Sequence, residues 1–457
     1  MKTIIIGASH SGIAAATDLK RLDAEHEVVL IDQRTESELG FISNGINLVF
    51  NDVIDDLSQA ATKASDITDL GIELLTEIKV IKINNRKKQL KMQPIKDKGS
   101  FVQMTYDKLI VATGTSPLIA TRDYPGVDNI LSYKSIKESK RALEAIEKAQ
   151  NIAIVGTGYI GLELADSLKK MDKNIYLLEG SQEMLFRYFD HEMVQELRKH
   201  VMDSTIELVP WEFGRDYKIS NQHIQAVVLA EREIPVDLVI FPDSIYTNVE
   251  LLENIVDLNI DNTVADDMFY RTSDPNIFAI GDIVPIYYPH HGTQIFMPLV
   301  NRAVRMGRAV AMNICGETVE SDLVHKTSGT FVFGQFLGST GLTAGEAPLF
   351  GFSTGSAQGT FPLQTKFSKQ QTYVHAKLTF DEETLKVLGF QLVSEEFLID
   401  DLNVATALLS EGVDLRRLAI HNFTFIPQYT QPFHYLNELA FQALLERKKT
   451  KKLKKTC

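Results

Sequence analysis

The apolar run Thr3-Ile4-Ile5-Ile6 stops at Gly7, and a second run, Ile152-Ala153-Ile154-Val155, stops at Gly156. Short unbroken apolar runs of this kind predict strands buried on both faces, as in a parallel sheet. Behind each stop, apolar positions recur at helical spacing. The pattern predicts a strand at Lys2–Ile6, a helix at Ser11–Leu22 and a strand at Glu27–Ile31 that ends at Asp32. The same order returns from Asn151: strand, glycine turn, helix to Lys170, strand at Ile175–Leu178, then Glu179. Each set forms a β-α-β unit, so the chain is expected to be an α/β protein with two parallel sheets.

Elsewhere the pattern predicts strand at Ile72–Ile83, a polar hairpin-like excursion at Arg86–Lys96, and a strand entering a turn at Tyr106–Gly114, with Pro117 just beyond. Ser135–Ala149 predicts a helix, and short strands follow to about Ile240. Asp274–Asp282 again reads as strand into turn, and Pro298–Ile314 as helix. From about Ser321 the sequence turns to Gly, Thr and Phe with strand alternation, and it ends in a helix at Phe433–Lys448. That change predicts a separate α+β domain.

Composition narrows the possibilities. Apolar residues make up 44% of the 457, ordinary for a globular protein, and no apolar run is long enough to span a membrane. Met1–Gly7 reads as strand rather than secretory leader: one Lys, a very short apolar stretch, and no small-residue cleavage site. Two cysteines, Cys315 and Cys457, cannot build a disulfide framework, so a reducing cytoplasm is the expected location. The net charge is −13, yet residues 447–457 carry seven bases and no acid, leaving −20 on the remainder. So acidic a body argues against general nucleic-acid binding. The basic tail is expected to be the solvated end of the last helix, with contact to anionic lipid or RNA as the alternative.

The two stops carry the chemistry. They are Gly7-Ala8-Ser9-His10-Ser11-Gly12 and Gly156-Thr157-Gly158-Tyr159-Ile160-Gly161. In such a turn the first glycine permits a tight reversal. The middle small residue, Ser9 or Gly158, lets backbone approach a pyrophosphate, and the last glycine lets helix pack close to strand. The helix N-terminus offers free N–H groups and partial positive charge to the phosphates. Asp32 and Glu179 end the second strands, where a carboxylate accepts ribose hydroxyls and repels a 2′-phosphate. Glu179 is followed by Gly180-Ser181-Gln182 with no Arg, which favours NADH over NADPH. Two dinucleotide sites in one chain predict an enzyme that passes electrons between cofactors.

With these motifs the sequence resembles the pyridine nucleotide–disulfide oxidoreductases, in particular their branch of NADH oxidases, NADH peroxidases and coenzyme A–disulfide reductases. The first turn matches that branch's Gly-x-Ser-His-x-Gly. Ala112-Thr113-Gly114 and Thr272-Ser273-Asp274…Ala279-Ile280-Gly281-Asp282 match its further flavin motifs, and Gly158-Tyr159-Ile160-Gly161-Leu162-Glu163 its nicotinamide motif. The resemblance implies two Rossmann-like domains and a C-terminal α+β dimerisation domain. The expected boundaries are 1–117 with 249–321 for FAD, 118–248 for NADH, 322–446 for dimerisation and 447–457 for the tail.

The resemblance assigns Gly7, Ser9, His10, Gly12, Asp32, Ser43, Thr113, Gly114, Asp282 and Leu299 to FAD, with Asp282 on the ribityl chain. The helix from Leu299 would aim its N-terminus at the flavin's pyrimidine edge. It assigns Gly156, Gly158, Tyr159, Ile160, Gly161 and Glu179 to NADH. Tyr159 would be the aromatic gate over the flavin, and Glu163 would lie beside the nicotinamide carboxamide. It also implies a homodimer in which Phe425-Ile426-Pro427 and Pro432-Phe433 approach the partner's flavin.

The match fails where that branch carries its redox cysteine. The corresponding segment is Phe41-Ile42-Ser43-Asn44-Gly45, with Asn44 in the place of the thiol. An amide forms neither a thiolate nor a sulfenic acid. A second departure is Phe241-Pro242-Asp243-Ser244-Ile245-Tyr246-Thr247-Asn248, where the family's Gly-x-x-Pro-Asn loop keeps only Asn248 and Ser244 replaces the glycine. His10 is expected either to serve a reacting oxygen or to pack beside the pyrophosphate. His290-His291 is not expected to bind metal, because adjacent side chains diverge.

The catalytic candidates are therefore His10, Asn44, Tyr159 and Glu163, in an FAD-dependent NADH oxidoreductase lacking thiol chemistry. The expected acceptor is dioxygen, reduced to peroxide, or a quinone-like molecule or small electron-transfer protein. An alternative is an NADH-sensing flavin-binding protein with vestigial turnover. Last comes peroxidase or disulfide-reductase chemistry through Cys315 or Cys457.

Overall fold

The computed structural model describes residues 1–118, 123–180, 183–210, 216–242, 244–287, 294–321 and 325–456. The first sheet runs, in spatial order, Ile277–Ala279, Lys108–Val111, Lys2–Ile6, Glu27–Ile31 and Glu73–Leu75, all parallel. Ile4, Ile5, Val29, Leu30 and Ile110 are fully buried between its faces, which is why these strands read as continuous apolar runs. The expected strand at Ile72–Ile83 divides. Glu77 takes a positive φ of 56°, and Ile78–Asn84 leaves the parallel sheet to pair antiparallel with Gln89–Pro94.

Helix α1 (His10–Leu22) follows the first glycine turn, and α2 (Gly45–Phe50) follows the segment that contains Asn44. Gly7 sits at φ +108°, and a Cβ on Gly12 would stand 1.8 Å from the Gly7 carbonyl oxygen. No larger residue lets α1 start so close to the strand.

The second sheet runs Ile206–Val209, Asn174–Leu178, Asn151–Val155, Leu238–Ile240 and Ile130–Leu131, again all parallel. Helix α3 (Ile136–Lys148) packs beside it, closed by a capping box. Ser135 Oγ accepts from the Glu138 N–H at 3.2 Å, and Glu138 Oε2 accepts from the Ser135 N–H at 2.9 Å. Helix α4 (Tyr159–Leu168) leaves the second glycine turn, and α5 (Gln195–Met202) precedes the strand Ile206–Val209. The close approach recurs: a Cβ on Gly161 would stand 2.1 Å from the Gly156 carbonyl oxygen.

Helix α6 (Val300–Ile314) returns to the first unit and lies on α1. Gly307 makes the contact, and a Cβ there would meet the Ser11 carbonyl oxygen at 2.4 Å and the Ala15 nitrogen at 2.8 Å.

The C-terminal part is a five-stranded antiparallel sheet, ordered Ser328–Val332, Gln335–Gly341, Val387–Ser394, Tyr373–Asp381, Thr354–Pro362. Helices α7 (Ile399–Ser410) and α8 (Tyr435–Thr456) cover it with Leu402, Leu409, Leu436 and Leu439. The expected last helix begins two residues later than read and runs on through the basic stretch to Thr456.

This sheet is clamped to the second unit at Asp190. That carboxylate accepts from the backbone N–H groups of Ala344 and Gly345 at 3.0 Å each, from Gln391 Nε2 at 2.7 Å and from Lys377 Nζ at 2.7 Å. Burial alone would raise the Asp190 carboxyl, but these bonds outweigh it and hold it below its usual value. Among the described residues, no helix is long and apolar enough to cross a membrane.

Gly307→Ala is expected to destabilise the protein by about 1–3 kcal/mol, since the added methyl meets backbone rather than a flexible side chain. Denaturant titration against Gly99→Ala, whose nearest heavy atom stands at 3.4 Å, checks this. Equal midpoints for the two variants would refute the close helix contact.

Candidate functional site

Both glycine turns open into one cleft of about 1540 Å³. Fifteen of the residues marked in the sequence line it: Gly7, Ser9, His10, Asp32, Ser43, Asn44, Thr113, Gly114, Gly156, Gly158, Tyr159, Ile160, Glu163, Asp282 and Leu299. Gly12 and Gly161 do not, because their contribution is the close helix–strand packing described above. Glu179 does not line it either, although its neighbour Gly180 does. Gly114, at φ +63°, and Gly156, at φ +114°, have nothing within 4 Å of where a Cβ would stand. Bare backbone facing empty space suits a ligand that must approach closely.

On the first-sheet side, Asp32 Oδ2 accepts from the Ala8 N–H at 2.7 Å, tying the end of the second strand to the glycine turn. Arg34 grips the same carboxylate, with Nε to Oδ1 at 2.9 Å and a terminal nitrogen to Oδ2 at 2.8 Å. Burial pushes the Asp32 carboxyl up, but the Arg34 hydrogen bonds and charge prevail and keep it ionised. Asn248 locks the Ala112-Thr113-Gly114 turn: its side-chain Nδ2 donates to the Thr113 carbonyl at 3.0 Å, and its backbone carbonyl accepts from Thr113 Oγ1 at 2.7 Å. Asp282 Oδ2 accepts from Thr115 Oγ1 at 3.2 Å and lies 3.6 Å from Lys134 Nζ. His10, the first residue of α1, is held below its ordinary value mainly by burial. Asp282 pulls the other way and Arg34 adds to the lowering. Its imidazole is neutral near pH 7 and offers one N–H and one lone pair.

The N-terminus of α6 opens on the same cleft at Leu299, whose extended conformation caps the helix without a side-chain hydrogen bond. Its unbonded N–H groups add partial positive charge there.

Asn44 stands where the sheet units and the C-terminal sheet meet. Its Nδ2 donates to Glu163 Oε2 on α4 at 2.6 Å, and its Oδ1 accepts from Asn47. Glu163 Oε1 accepts from Thr330 Oγ1, on the C-terminal sheet, at 2.6 Å. Burial raises the Glu163 carboxyl, and the Thr330 and Asn44 hydrogen bonds offset part of that rise. One turn along, Asn51 Nδ2 donates to Ser167 Oγ at 3.1 Å, and Ser167 Oγ donates to the Glu163 carbonyl at 2.8 Å. Asn44 therefore does structural work in a polar seam between α2 and α4.

Tyr159 packs its ring on Tyr188, with centroids 4.6 Å apart and planes tilted by 53°, and its hydroxyl donates to the Ser328 carbonyl at 3.4 Å. Burial pushes its phenol far up, so it stays protonated. Arg34, Lys134, Tyr188 and Asn248 all line the cleft. Sequence reasoning gave none of the first three a role. Arg34 was legible, since it follows the strand-end acid by two residues. Lys134 was not, because nothing local brings it to Asp282.

No Arg follows Glu179 directly in the sequence, and the fold brings one to it from further along. Arg198 on α5 forks onto it, one terminal nitrogen donating to Oε1 and the other to Oε2 at 3.3 Å. Cys315 caps the end of α6 and is half-buried. Burial, with Asp23 nearby, pushes its thiol up, and it does not line the cleft. Ser244, the residue in place of the family glycine, accepts from the Leu118 N–H at 2.8 Å and is not a lining residue. Asp243, His290, His291 and Cys457 lie outside the described residues.

The family model of the pyridine nucleotide-disulphide oxidoreductases matches residues 1–307. The NADH oxidase of Enterococcus faecalis is 28% identical over 450 residues, which cover 98% of this chain and 100% of that protein. The NADH oxidase of Lactococcus lactis is 27% identical over 453 residues, covering 97% and 100%. A pyridine nucleotide-disulfide family oxidoreductase from Enterococcus faecalis superposes with a TM-score of 0.84 at 28% identity, covering 98% of this chain and 100% of that one. A water-forming NADH oxidase from Lactobacillus brevis shares the fold, with a TM-score of 0.92 at 24% identity over 98% of this chain and 99% of that one.

Asn44→Ala removes a donor from a half-buried carboxylate and is expected to raise the Glu163 titration further. Carboxyl-carbon NMR of labelled protein against pH reads this directly. A titration that stays put, or moves to lower pH, contradicts the hydrogen bond's direction.

Proposed function

The chain belongs to the pyridine nucleotide-disulphide oxidoreductases, and from that premise we propose that it is an FAD-dependent NADH oxidoreductase that reduces dioxygen to hydrogen peroxide. One observation carries the choice of product. The cleft-lining residue held by Glu163 and Asn47 is an amide, Asn44, where a thiol would be needed to take the oxygen further. Bound FAD would supply the redox chemistry, taking two electrons from NADH and handing them to dioxygen; overall NADH, one proton and dioxygen give NAD⁺ and hydrogen peroxide.

The chain's own residues bind, orient and shield. The glycine turns at Gly7 and Gly156 receive the two pyrophosphates on helix N-termini. Asp282, with Thr115 and Lys134 beside it, fits the ribityl hydroxyls. Glu163 accepts from the nicotinamide carboxamide when ionised, and Asn44 and Thr330 help keep it so. Tyr159, held protonated and packed on Tyr188, closes the cleft until the nicotinamide enters. His10 offers its neutral ring's N–H to the departing oxygen species.

The domain limits of this reading are 1–117 with 249–321, 118–248 and 322–446. Phe425, Ile426 and Phe433 are about half exposed at 46%, 46% and 59%, which supports a second copy of the chain covering them in a homodimer. A cytoplasmic setting fits a chain with two cysteines.

Purified holoenzyme is expected to bleach its flavin absorbance on anaerobic NADH and to form one peroxide per NADH in air, by oxygen electrode and peroxide assay. Asn44→Cys is expected to shift part of the product from peroxide to water. Wild-type protein giving water alone would refute the role assigned to Asn44.

A further inference from the structure

Helix α8 changes character along its length. Its first half is seated, with Leu436, Leu439, Ala440 and Ala443 buried against the C-terminal sheet. Arg447 makes the last tie: a terminal nitrogen donates to the Glu382 carbonyl at 2.8 Å, and Nε lies 3.7 Å from the Glu382 carboxylate. Among the described residues, no later side chain of α8 forms a hydrogen bond or ion pair. The helix nevertheless continues to Thr456, about 13 Å further along its axis. That stretch carries Lys448, Lys449, Lys451, Lys452, Lys454 and Lys455, and no acid. A few cations in a last turn favour a helix through its dipole. This run spans about two turns and sets like charges three and four positions apart, as at Lys448, Lys451, Lys452 and Lys455. Such pairs repel, so the run destabilises the helix on its own and an opposing anionic surface relieves it.

The stretch leading into the lysines is apolar on its outer side. Phe441 and Leu445, four positions apart, keep 51% and 43% of their surface. Lys448 and Lys449, both exposed, follow Leu445 at three and four positions and so continue the same stripe. We propose that this outer stripe of α8 is a docking surface for an anionic lipid bilayer. The lysines meet the phospholipid phosphates, and Phe441 and Leu445 enter the headgroup boundary. Contact is peripheral, since no described helix is long and apolar enough to cross a membrane. Two observations favour a bilayer over a nucleic acid. The rest of the chain carries −20, so a long polynucleotide leaving the lysines runs past like charge. Leu445 offers a base no aromatic face to stack on, whereas the acyl boundary takes it out of water.

The test is co-sedimentation of the FAD-loaded holoenzyme with vesicles of phosphatidylcholine alone, or of equal parts phosphatidylcholine and phosphatidylglycerol. Wild-type protein is expected to bind the charged vesicles at least tenfold more tightly, and to lose that preference in molar sodium chloride. Replacing four bases together, as Lys448→Gln, Lys449→Gln, Lys451→Gln and Lys452→Gln, is expected to weaken charged-vesicle binding tenfold or more. The pair Phe441→Gln and Leu445→Gln is expected to weaken it several-fold without changing its salt dependence. Polyuridylate is expected to bind the wild type at least tenfold more weakly than charged vesicles, per phosphate. No preference for the charged vesicles, unchanged binding in either variant, or polyuridylate bound as tightly as lipid overturns the inference. Melting temperature and flavin absorbance equal to wild type establish that each variant is folded.

Discussion

The cleft depends on one half-buried carboxylate. Glu163 lies on α4 of the second sheet unit, is bonded by Asn44 from the first and by Thr330 from the C-terminal sheet. A carboxylate taken out of water is costly unless its lone pairs are used, and truncating a partner leaves the remaining charge exposed to that cost. The three parts of the chain are therefore held in register at the point where both glycine turns converge. Asp190, with Lys377, Gln391 and two backbone N–H groups around it, repeats this outside the cleft lining. Two hydrogen-bonded, half-buried acids do for the units what the glycine contacts do within each.

Substituting Asn for the expected Cys keeps that register. An amide donates to one neighbour and accepts from another at once, and Asn44 does both, to Glu163 and from Asn47. A thiol is a weak donor and a weak acceptor and would leave the Glu163 oxygen poorly partnered. Asn44 thereby ties the start of α2 to α4.

Much of the scaffold was legible because the parallel sheets are buried on both faces and so appear as uninterrupted apolar runs. The glycine spacings then located the turns, and the acids closed each β-α-β unit. What the sequence could not show were contacts between segments distant along the chain. Lys134 beside Asp282, Thr330 on Glu163 and Arg198 on Glu179 are separated by 148, 167 and 19 positions, and no local pattern encodes them. The missed break at Glu77 has a different cause. A positive φ on a non-glycine residue is set by the tertiary fold, here by the switch between two sheets, and carries no reliable local mark.

The contact between α1 and α6 has a mechanical corollary. With Gly307 seated on the Ser11–Ala15 backbone, the two helices have no slack between them. The start of α1, which carries His10, and the start of α6, at Leu299, behave as the jaws of one rigid caliper whose pivot is that glycine. So close a contact resists sliding of one helix along the other. On such a frame, side chains at fixed stations along the cleft set its chemistry.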